Sequence, residues 1–328
     1  LIIDDSALIR DLLTEILKSD PEIEVVGTAA DPYIARDKIK KLNPDVLTLD
    51  VQMPKMDGVT FLKNLMRLRP IPVVMVSTLT EAGAEITLEA LSLGAVDFVS
   101  KPKIDVSERI YDYQEEIISK VKMAASAKVT QRVQRSTAKV EIPERLTADA
   151  VIDKPYVRKV STTDMMVAIG ASTGGTEAIR EVLQQLPADF PAIVITQHIP
   201  PVFSESFANR LDSLCAVRVV HAEEGQEIIR GHAYIAPGDK HLIIKRSGSR
   251  LYCSLNDGPP VNRHKPSVDV MFRSVLQSTS GNCVSVLLTG MGNDGANGIK
   301  ELHDHGSYTI AQDEATSVVW GMPGEAVK

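Results

Sequence analysis

The chain has 328 residues, more than one compact domain usually holds. Its composition, 44% hydrophobic and 24% charged, is that of an ordinary globular protein with apolar material for two cores. A formal net charge of −7 argues against the basic face that tight, non-specific nucleic-acid binding needs, and no apolar run is long enough to span a bilayer.

Over roughly the first 120 residues, short apolar runs alternate with amphipathic segments. Leu1-Ile3 reads as a strand end, and Leu8, Ile9, Leu12, Leu13, Ile16 and Leu17 recur at helical spacing. Strands are expected at Val25-Val26, Val46-Leu49, Val73-Val76 and Val96-Val99, with helices over 34–42, 59–68 and 84–93 between them. Ile110, Tyr113, Ile117 and Val121 mark a fifth helix. Strict alternation predicts a parallel, doubly wound α/β sheet for a first domain at 1–123. Polar residues with isolated Pro143 and Pro155 fill 124–164, which reads as a linker.

Order returns for a second domain at 165–328. Met166-Ile169, Ala192-Thr196 and Val284-Thr289 look like buried parallel strands. Ala233-Ile235, His241-Lys245 and Leu251-Leu255 are shorter, with turns between them, and predict an antiparallel hairpin attached to a three-layer, Rossmann-like α/β sheet. Cys215, Cys253 and Cys283 lack metal-ligand spacing; buried free thiols in a reduced, cytoplasmic setting are expected. No signal peptide is visible. The opening Leu1-Ile2-Ile3 reads as the inside of a first strand, and Gly321–Val327 as the start of an unfinished element.

Ligands of open parallel sheets sit outside the carboxyl ends of the strands. In the first domain those ends carry Asp4-Asp5, Asp50, Ser77-Thr78 and Ser100-Lys101. Converging carboxylates repel unless a cation joins them, so a hard divalent ion such as Mg²⁺ is expected there. Asp50 is then a candidate nucleophile toward a phosphoryl group, with Lys101 to pair the phosphate and Ser77 or Thr78 to hydrogen-bond it. Taken one at a time, Asp and Ser at such places are more simply helix caps.

The stretches Ile3-Asp-Asp-Ser-Ala-Leu-Ile-Arg10, Leu49-Asp-Val-Gln-Met-Pro-Lys-Met-Asp-Gly58 and Gly94-Ala-Val-Asp-Phe-Val-Ser-Lys-Pro102 resemble the receiver domain of two-component response regulators, which has a flavodoxin-like fold. The resemblance implies Asp50 as phosphoacceptor and Asp4, Asp5 and the Gln52 carbonyl as Mg²⁺ ligands beside it. It also implies Ser77, or Thr78 with the register one residue over, as switch hydroxyl and Phe98 as switch aromatic.

In the second domain, Gly170-x-Ser172-x-Gly174 follows a strand and precedes a helix expected over 176–186. The spacing suits a nucleophile elbow, and equally a phosphate-cradling Gly-rich loop at a helix N-terminus. His198 closes the run Ala192-Thr196 and Asp294 follows Val284-Thr289, so Ser172, His198 and Asp294 share one predicted rim. Their order, Ser-His-Asp, differs from that of α/β-hydrolases. An oxyanion would need aimed donors, and the backbone N–H groups of Thr173 and of the Gly290-Met291 turn are the candidates.

Ile169-Gly-Ala-Ser-Thr-Gly-Gly175, Thr196-Gln-His-Ile-Pro200, Tyr234-Ile-Ala-Pro-Gly-Asp-Lys-His241, His264-Lys-Pro-Ser-Val-Asp-Val270 and Leu288-Thr-Gly-Met-Gly-Asn-Asp-Gly295 resemble the catalytic domain of chemotaxis protein-glutamate methylesterases. With the receiver, the resemblance covers essentially the whole chain. It implies a Ser172-His198-Asp294 triad that hydrolyses glutamate γ-methyl esters and deamidates glutamines, with no cofactor at the hydrolase site. The implied partners are methyl-accepting chemoreceptors as substrate and a chemotaxis histidine kinase as phosphodonor. Nucleic acid is not expected as a partner, and membrane contact only through receptors. A DNA-binding regulator would need a helix-turn-helix that the second domain lacks; an inert adaptor would not need Ser172, His198 and Asp294 together.

Overall fold

The structure is a computed structural model that describes residues 1–78, 80–101, 110–127, 147–152 and 165–328. The chain divides into two compact units, Leu1–Ala138 and Lys139–Lys328. Apart from residues 124–127 and 147–152, the expected linker lies outside the described residues.

The first unit alternates strand and helix: β1 (Ile2–Ile3), α1 (Ala7–Lys18), β2 (Thr28–Ala29), α2 (Pro32–Leu42), β3 (Leu47–Asp50), α3 (Gly58–Leu68), β4 (Val73–Ser77), α4 (Glu81–Ser92), β5 (Asp97–Ser100) and α5 (Ile110–Ser126). Its five strands pair in parallel in the order β2-β1-β3-β4-β5, the flavodoxin-like arrangement. Val73 to Val76 of β4 are wholly buried, as a strand covered on both faces requires. The expected strand at Val25-Val26 is displaced: the edge pairing falls at Thr28 and Ala29, opposite Ile2 and Ile3. Val25 and Val26 are only half-buried, because an edge strand needs one apolar face and two adjacent valines cannot both point to it.

In the second unit, β6 (Met166–Ala171), β7 (Ile193–Gln197), β8 (Arg218–His221), β9 (Glu227–Ile228), β10 (His232–Ile235), β11 (His241–Ser247), β12 (Arg250–Asn256), β13 (Cys283–Leu287) and β14 (Tyr308–Ala311) are accompanied by helices. These are α6 (Gly175–Gln184), α7 (Pro201–Leu214), α8 (Val268–Thr279), α9 (Ala296–Asp304) and α10 (Met322–Val327). Six strands form a parallel sheet in the order β14-β13-β6-β7-β10-β8, and β11-β12-β9 form a separate antiparallel sheet. One strand is therefore reassigned. Ala233-Ile235, expected in the hairpin, belongs to β10 in the parallel sheet, where all three residues are buried.

Helix α8 lies against this sheet and is buried nearly all round: Val268, Val270, Met271, Phe272, Val275 and Leu276 are fully buried, and Asp269, Arg273 and Ser274 are buried with them. Gly170 admits it, since a Cβ there would lie 2.2 Å from Val268 Cγ1. A 3-10 turn, Ala148–Ala150, also packs here, with Ala148 buried against Ile243, Val261 and Val270. The guanidinium of Arg273 on α8 bridges Asp149 of that turn and Glu301 of α9. No helix among the described residues is long and apolar enough to cross a membrane.

Candidate active site

In the first unit, Asp4 and Asp5 follow β1 and Asp50 ends β3, and one carboxylate oxygen from each residue falls within 4.8 Å of the others. Asp4 and Asp50 are buried, whereas Asp5 is exposed. Gly58 permits the close turn after β3, because a Cβ there would sit 2.0 Å from the Asp50 carbonyl oxygen. Lys101, just past β5, places its ammonium 2.7 Å from Asp50 Oδ2 and 3.1 Å from Asp4 Oδ2. Burial raises the Asp50 pKa to about 6, against the Lys101 hydrogen bond; the Asp4 charge adds to the rise. Burial disfavours the Lys101 ammonium, yet its bonds to Asp50 and Asp4 leave its pKa above the ordinary value. Three clustered carboxylates suit a hard divalent cation with oxygen ligands.

The Gln52 N–H donates to Asp50 Oδ1 at 3.2 Å. Ser77 is fully buried at the end of β4, and its hydroxyl accepts from Thr87 Oγ1 of α4 at 2.8 Å. Thr78 is half-buried in the next position. Phe98 is buried beneath Lys120 of α5, whose ammonium lies 5.2 Å from the ring centre.

In the second unit, Ser172, His198 and Asp294 follow β6, β7 and β13, three neighbouring strands of one sheet. The turn after β6 brings the backbone round on Gly174, at φ +75°, and α6 starts at Gly175. A Cβ on Gly175 would lie 2.2 Å from Gln197 Oε1, and one on Gly290 would lie 2.7 Å from Ser172 Cβ. The Ser172 N–H donates to the Thr289 carbonyl and the Ser172 carbonyl accepts from Gln197 Nε2, at 3.0 and 2.8 Å. The N–H of His198 donates to the Ala171 carbonyl, which ties the two loops together.

His198 Nε2 lies 2.8 Å from Asp294 Oδ2. Nδ1 is buried and has no hydrogen-bond partner among the described residues. The ring stacks on His264, with centroids 3.7 Å apart and planes 11° from parallel.

Asp294, 1% exposed, is held by the start of α8. Its Oδ2 accepts from the Val268 N–H at 2.7 Å. Oδ1 accepts from Ser267 Oγ, Asn262 Nδ2 and the Asp269 N–H, at 2.8, 2.9 and 3.3 Å. Backbone N–H groups of a helix's first turn favour a negative charge. Burial alone would raise the Asp294 pKa, but the His198 hydrogen bond and charge, the His264 charge and Asn262 outweigh it. The carboxyl is held well below its usual range.

The support continues outward. The Ser267 N–H donates to His241 Nδ1 at 3.1 Å, and His241 Nε2 lies 3.0 Å from the Pro259 carbonyl oxygen. With Nδ1 accepting, Nε2 carries the proton and the ring is neutral; burial lowers its pKa accordingly. Gly238 packs on the turn that follows His198, where a Cβ would meet the Ile199 carbonyl oxygen at 2.4 Å. The motifs around Tyr234–His241 and His264–Val270, without assigned chemistry from sequence, thus buttress His198 and Asp294. Asn262 lies outside every motif read from sequence, and Ser267 and Asp269 belong to one that carried no assigned chemistry; Ser267 ahead of an apolar run carries an N-cap signal, and it does cap α8.

Of the two expected oxyanion donors, Thr173 follows Ser172 directly and is buried, while Met291 is 40% exposed. The Gly290 N–H is already committed to the Val319 carbonyl at 3.0 Å, so that part of the turn is corrected: it is not a free donor.

Residues 167–328 match the CheB methylesterase family and residues 1–110 the response regulator receiver domain family. The chain is 60% identical to a protein-glutamate methylesterase/protein-glutamine glutaminase of Hydrogenovibrio crunogenus, over all of this chain and 92% of that one. It is 58% identical to such a protein of Xanthomonas campestris pv. campestris, over all of this chain and 90% of that one. The crystal structure of the Thermotoga maritima CheB methylesterase catalytic domain is similar at a TM-score of 0.50 and 38% identity, covering 51% of this chain and 88% of that one. The chain therefore belongs to the protein-glutamate methylesterase/protein-glutamine glutaminase family, with a receiver domain ahead of its methylesterase domain.

Proposed function

We propose that this chain is a cytoplasmic chemotaxis enzyme that hydrolyses glutamate γ-methyl esters and deamidates glutamines on methyl-accepting chemoreceptors. Its activity is switched on by phosphorylation of Asp50. The observation that carries the reading is the His198–Asp294 contact, because it leaves Nδ1 a buried imidazole nitrogen without a partner among the described residues, on a residue whose backbone N–H donates to the Ala171 carbonyl next to Ser172.

With the Nε2 proton engaged by Asp294, Nδ1 takes the proton of Ser172 as its Oγ attacks the γ-carbonyl. The backbone N–H groups of Thr173 and Met291 stabilise the oxyanion. His198 returns the proton to the leaving methoxide, methanol departs, and water repeats the cycle on the acyl-enzyme. A primary amide in the same place releases ammonia.

In the receiver, Asp50 accepts a phosphoryl group from a chemotaxis histidine kinase, and Lys101 pairs with it. A Mg²⁺ held by Asp4, Asp5, Asp50 and the Gln52 carbonyl would offset the charge of the phosphoryl group. Ser77 or Thr78, with Phe98, passes the change to α4 and β5. Nucleic acid has no part in this reading, and the membrane enters only through the receptors.

The test is methanol release from methylated chemoreceptors by the full chain, with and without a small phosphodonor plus Mg²⁺. Stimulation that disappears in Asp50→Asn supports the reading. Release that is insensitive to phosphodonor, or that survives Ser172→Ala, refutes it.

A further inference from the structure

Two buried carboxylates stand together at the start of α8. Asp269 and Asp294 are 2% and 1% exposed, and Asn262 sits between them. Its Nδ2 donates to Asp269 Oδ2 at 2.7 Å and to Asp294 Oδ1 at 2.9 Å. Both amide hydrogens are thereby used and the side chain can face only one way. Turned over, its carbonyl oxygen would point at two carboxylates. The backbone is held as firmly: Asn262 adopts φ +50° inside a turn closed by reciprocal bonds between Val261 and His264, at 3.0 and 2.8 Å. The other oxygen of Asp269 accepts from the Gly298 N–H of α9 at 2.7 Å, which fixes Asp269 in turn.

We propose that Asn262 and Asp269 are positioning residues of the hydrolase site: Asn262 sets the plane of the Asp294 carboxylate against His198, while Asp269 orients Asn262 and tunes the Asp294–His198 pair through its own charge. The inference rests on the reading of Asp294 as the acid of the triad.

The placement gives Asp269 a direct route to the chemistry. Its N–H and the amide it orients both end on Asp294 Oδ1, leaving Oδ2 to His198 and the Val268 N–H. A carboxylate pinned on four sides presents one lone pair to the imidazole, and a small rotation of it would swing the ring away from Ser172. The charge on Asp269 is poised to vary. Burial, then the Asp294 charge, push its carboxyl up, against the bonds from Gly298 and Asn262, and Glu301 of α9 pushes the same way. The other charged groups nearby are His198 and His264, which act on Asp294, and Arg273 one turn along α8, which is occupied by Glu301 and Asp149.

Two substitutions in the full chain separate positioning from bulk stability. Asp269→Asn keeps the shape and removes a negative charge; Asn262→Leu keeps the approximate size and removes the amide donor from Asp294 Oδ1. For Asp269→Asn, kcat for methyl-ester hydrolysis falls about ten- to a hundredfold with KM nearly unchanged. The acid limb of its kcat/KM profile moves to lower pH by roughly half a unit or more, and that of Asn262→Leu, whose Asp294 charge has lost a donor, moves to higher pH. If both limbs stay with the wild type while only melting temperatures change, the pair is structural and the proposal fails. Should Asn262→Leu not fold, the limb of Asp269→Asn decides alone. Asp294→Ala is the control: wild-type turnover by that variant sinks the triad reading, whereas an inactive Asp294→Ala beside an unaltered Asp269→Asn sinks only this inference.

Discussion

His198 Nε2 and Asp294 Oδ2, 2.8 Å apart, decide which nitrogen of the imidazole carries a proton. Asp294 accepts from two backbone amides, a hydroxyl and a side-chain amide, so it is a carboxylate with nothing to donate. The proton therefore sits on Nε2, and Nδ1 keeps the lone pair that a base needs. Asp294→Asn turns this around, because an amide N–H facing the ring favours the opposite tautomer. The expected loss in kcat is about 10⁴-fold at little change in far-UV dichroism, measured as methanol release. A loss below about tenfold would remove Asp294 from the chemistry.

Ser172 is held at its carbonyl by Gln197 and at its N–H by Thr289, so its backbone does not depend on its hydroxyl. Ser172→Ala should leave the fold and melting temperature within experimental error and cut methanol release by about 10⁴-fold or more. Phosphorylation at Asp50 by a small phosphodonor should persist in the same variant. Loss of both together would point to a folding defect and count against Ser172 as nucleophile.

What could be read from sequence follows from how each element is built. Asp50, Ser172, His198 and Asp294 were legible because each ends or follows an apolar run, and such runs are buried strands whose carboxyl ends line a rim. Asn262, Ser267, His241 and Asp269 were not, since each acts through a partner far along the chain. The Ser267–Asp294 and Ser267–His241 hydrogen bonds span 27 and 26 residues. Local pattern also failed at β10, whose short run His232–Ile235 has the length of a hairpin strand but is buried between β7 and β8. Val25 and Val26 misled through β-branching alone, which marks a willing strand and not its register.

Gly238 shows how the region before β11 reaches the histidine. A methyl group there would lie 2.4 Å from the Ile199 carbonyl oxygen and 2.5 Å from the Pro201 nitrogen, both backbone atoms that cannot step aside cheaply. The Gly238 N–H also donates to the buried Ser204 hydroxyl at 3.1 Å, so the contact is fixed from both sides. Gly238→Ala should destabilise the second unit by about 2 kcal/mol and lower kcat more than it raises KM, as the turn carrying His198 shifts. Gly248, in the hairpin turn, has open space around it and serves as comparison, although its φ of +61° makes alanine mildly strained. An equal effect on kcat at both glycines would defeat the argument.

Asp50 makes the stability of the first unit depend on pH in a direction opposite to that of most carboxylates. Its pKa is raised from 3.8 to about 6 by burial, with Asp4 adding to the effect and Lys101 opposing it. Between those values the folded state binds more protons than the unfolded one. Stability is therefore fully present below about pH 4 and is lost as pH rises through about 6. The full shift corresponds to roughly 3 kcal/mol, less whatever relaxation the site allows. Asp50→Asn removes this cost but also one partner of Lys101, which retains Asp4 at 3.1 Å. Without divalent ions the variant should be more stable than the wild type at pH 7 by about 1–2 kcal/mol, and the gap should close near pH 4. Mg²⁺ favours the ionised site and should raise the wild-type melting temperature more than that of the variant, narrowing the gap at pH 7. Thermal unfolding of both proteins at the two pH values, with and without Mg²⁺, checks all three outcomes. A wild type that is the more stable protein at pH 7 without Mg²⁺ would mean that the Lys101 pair, and not burial, dominates at Asp50.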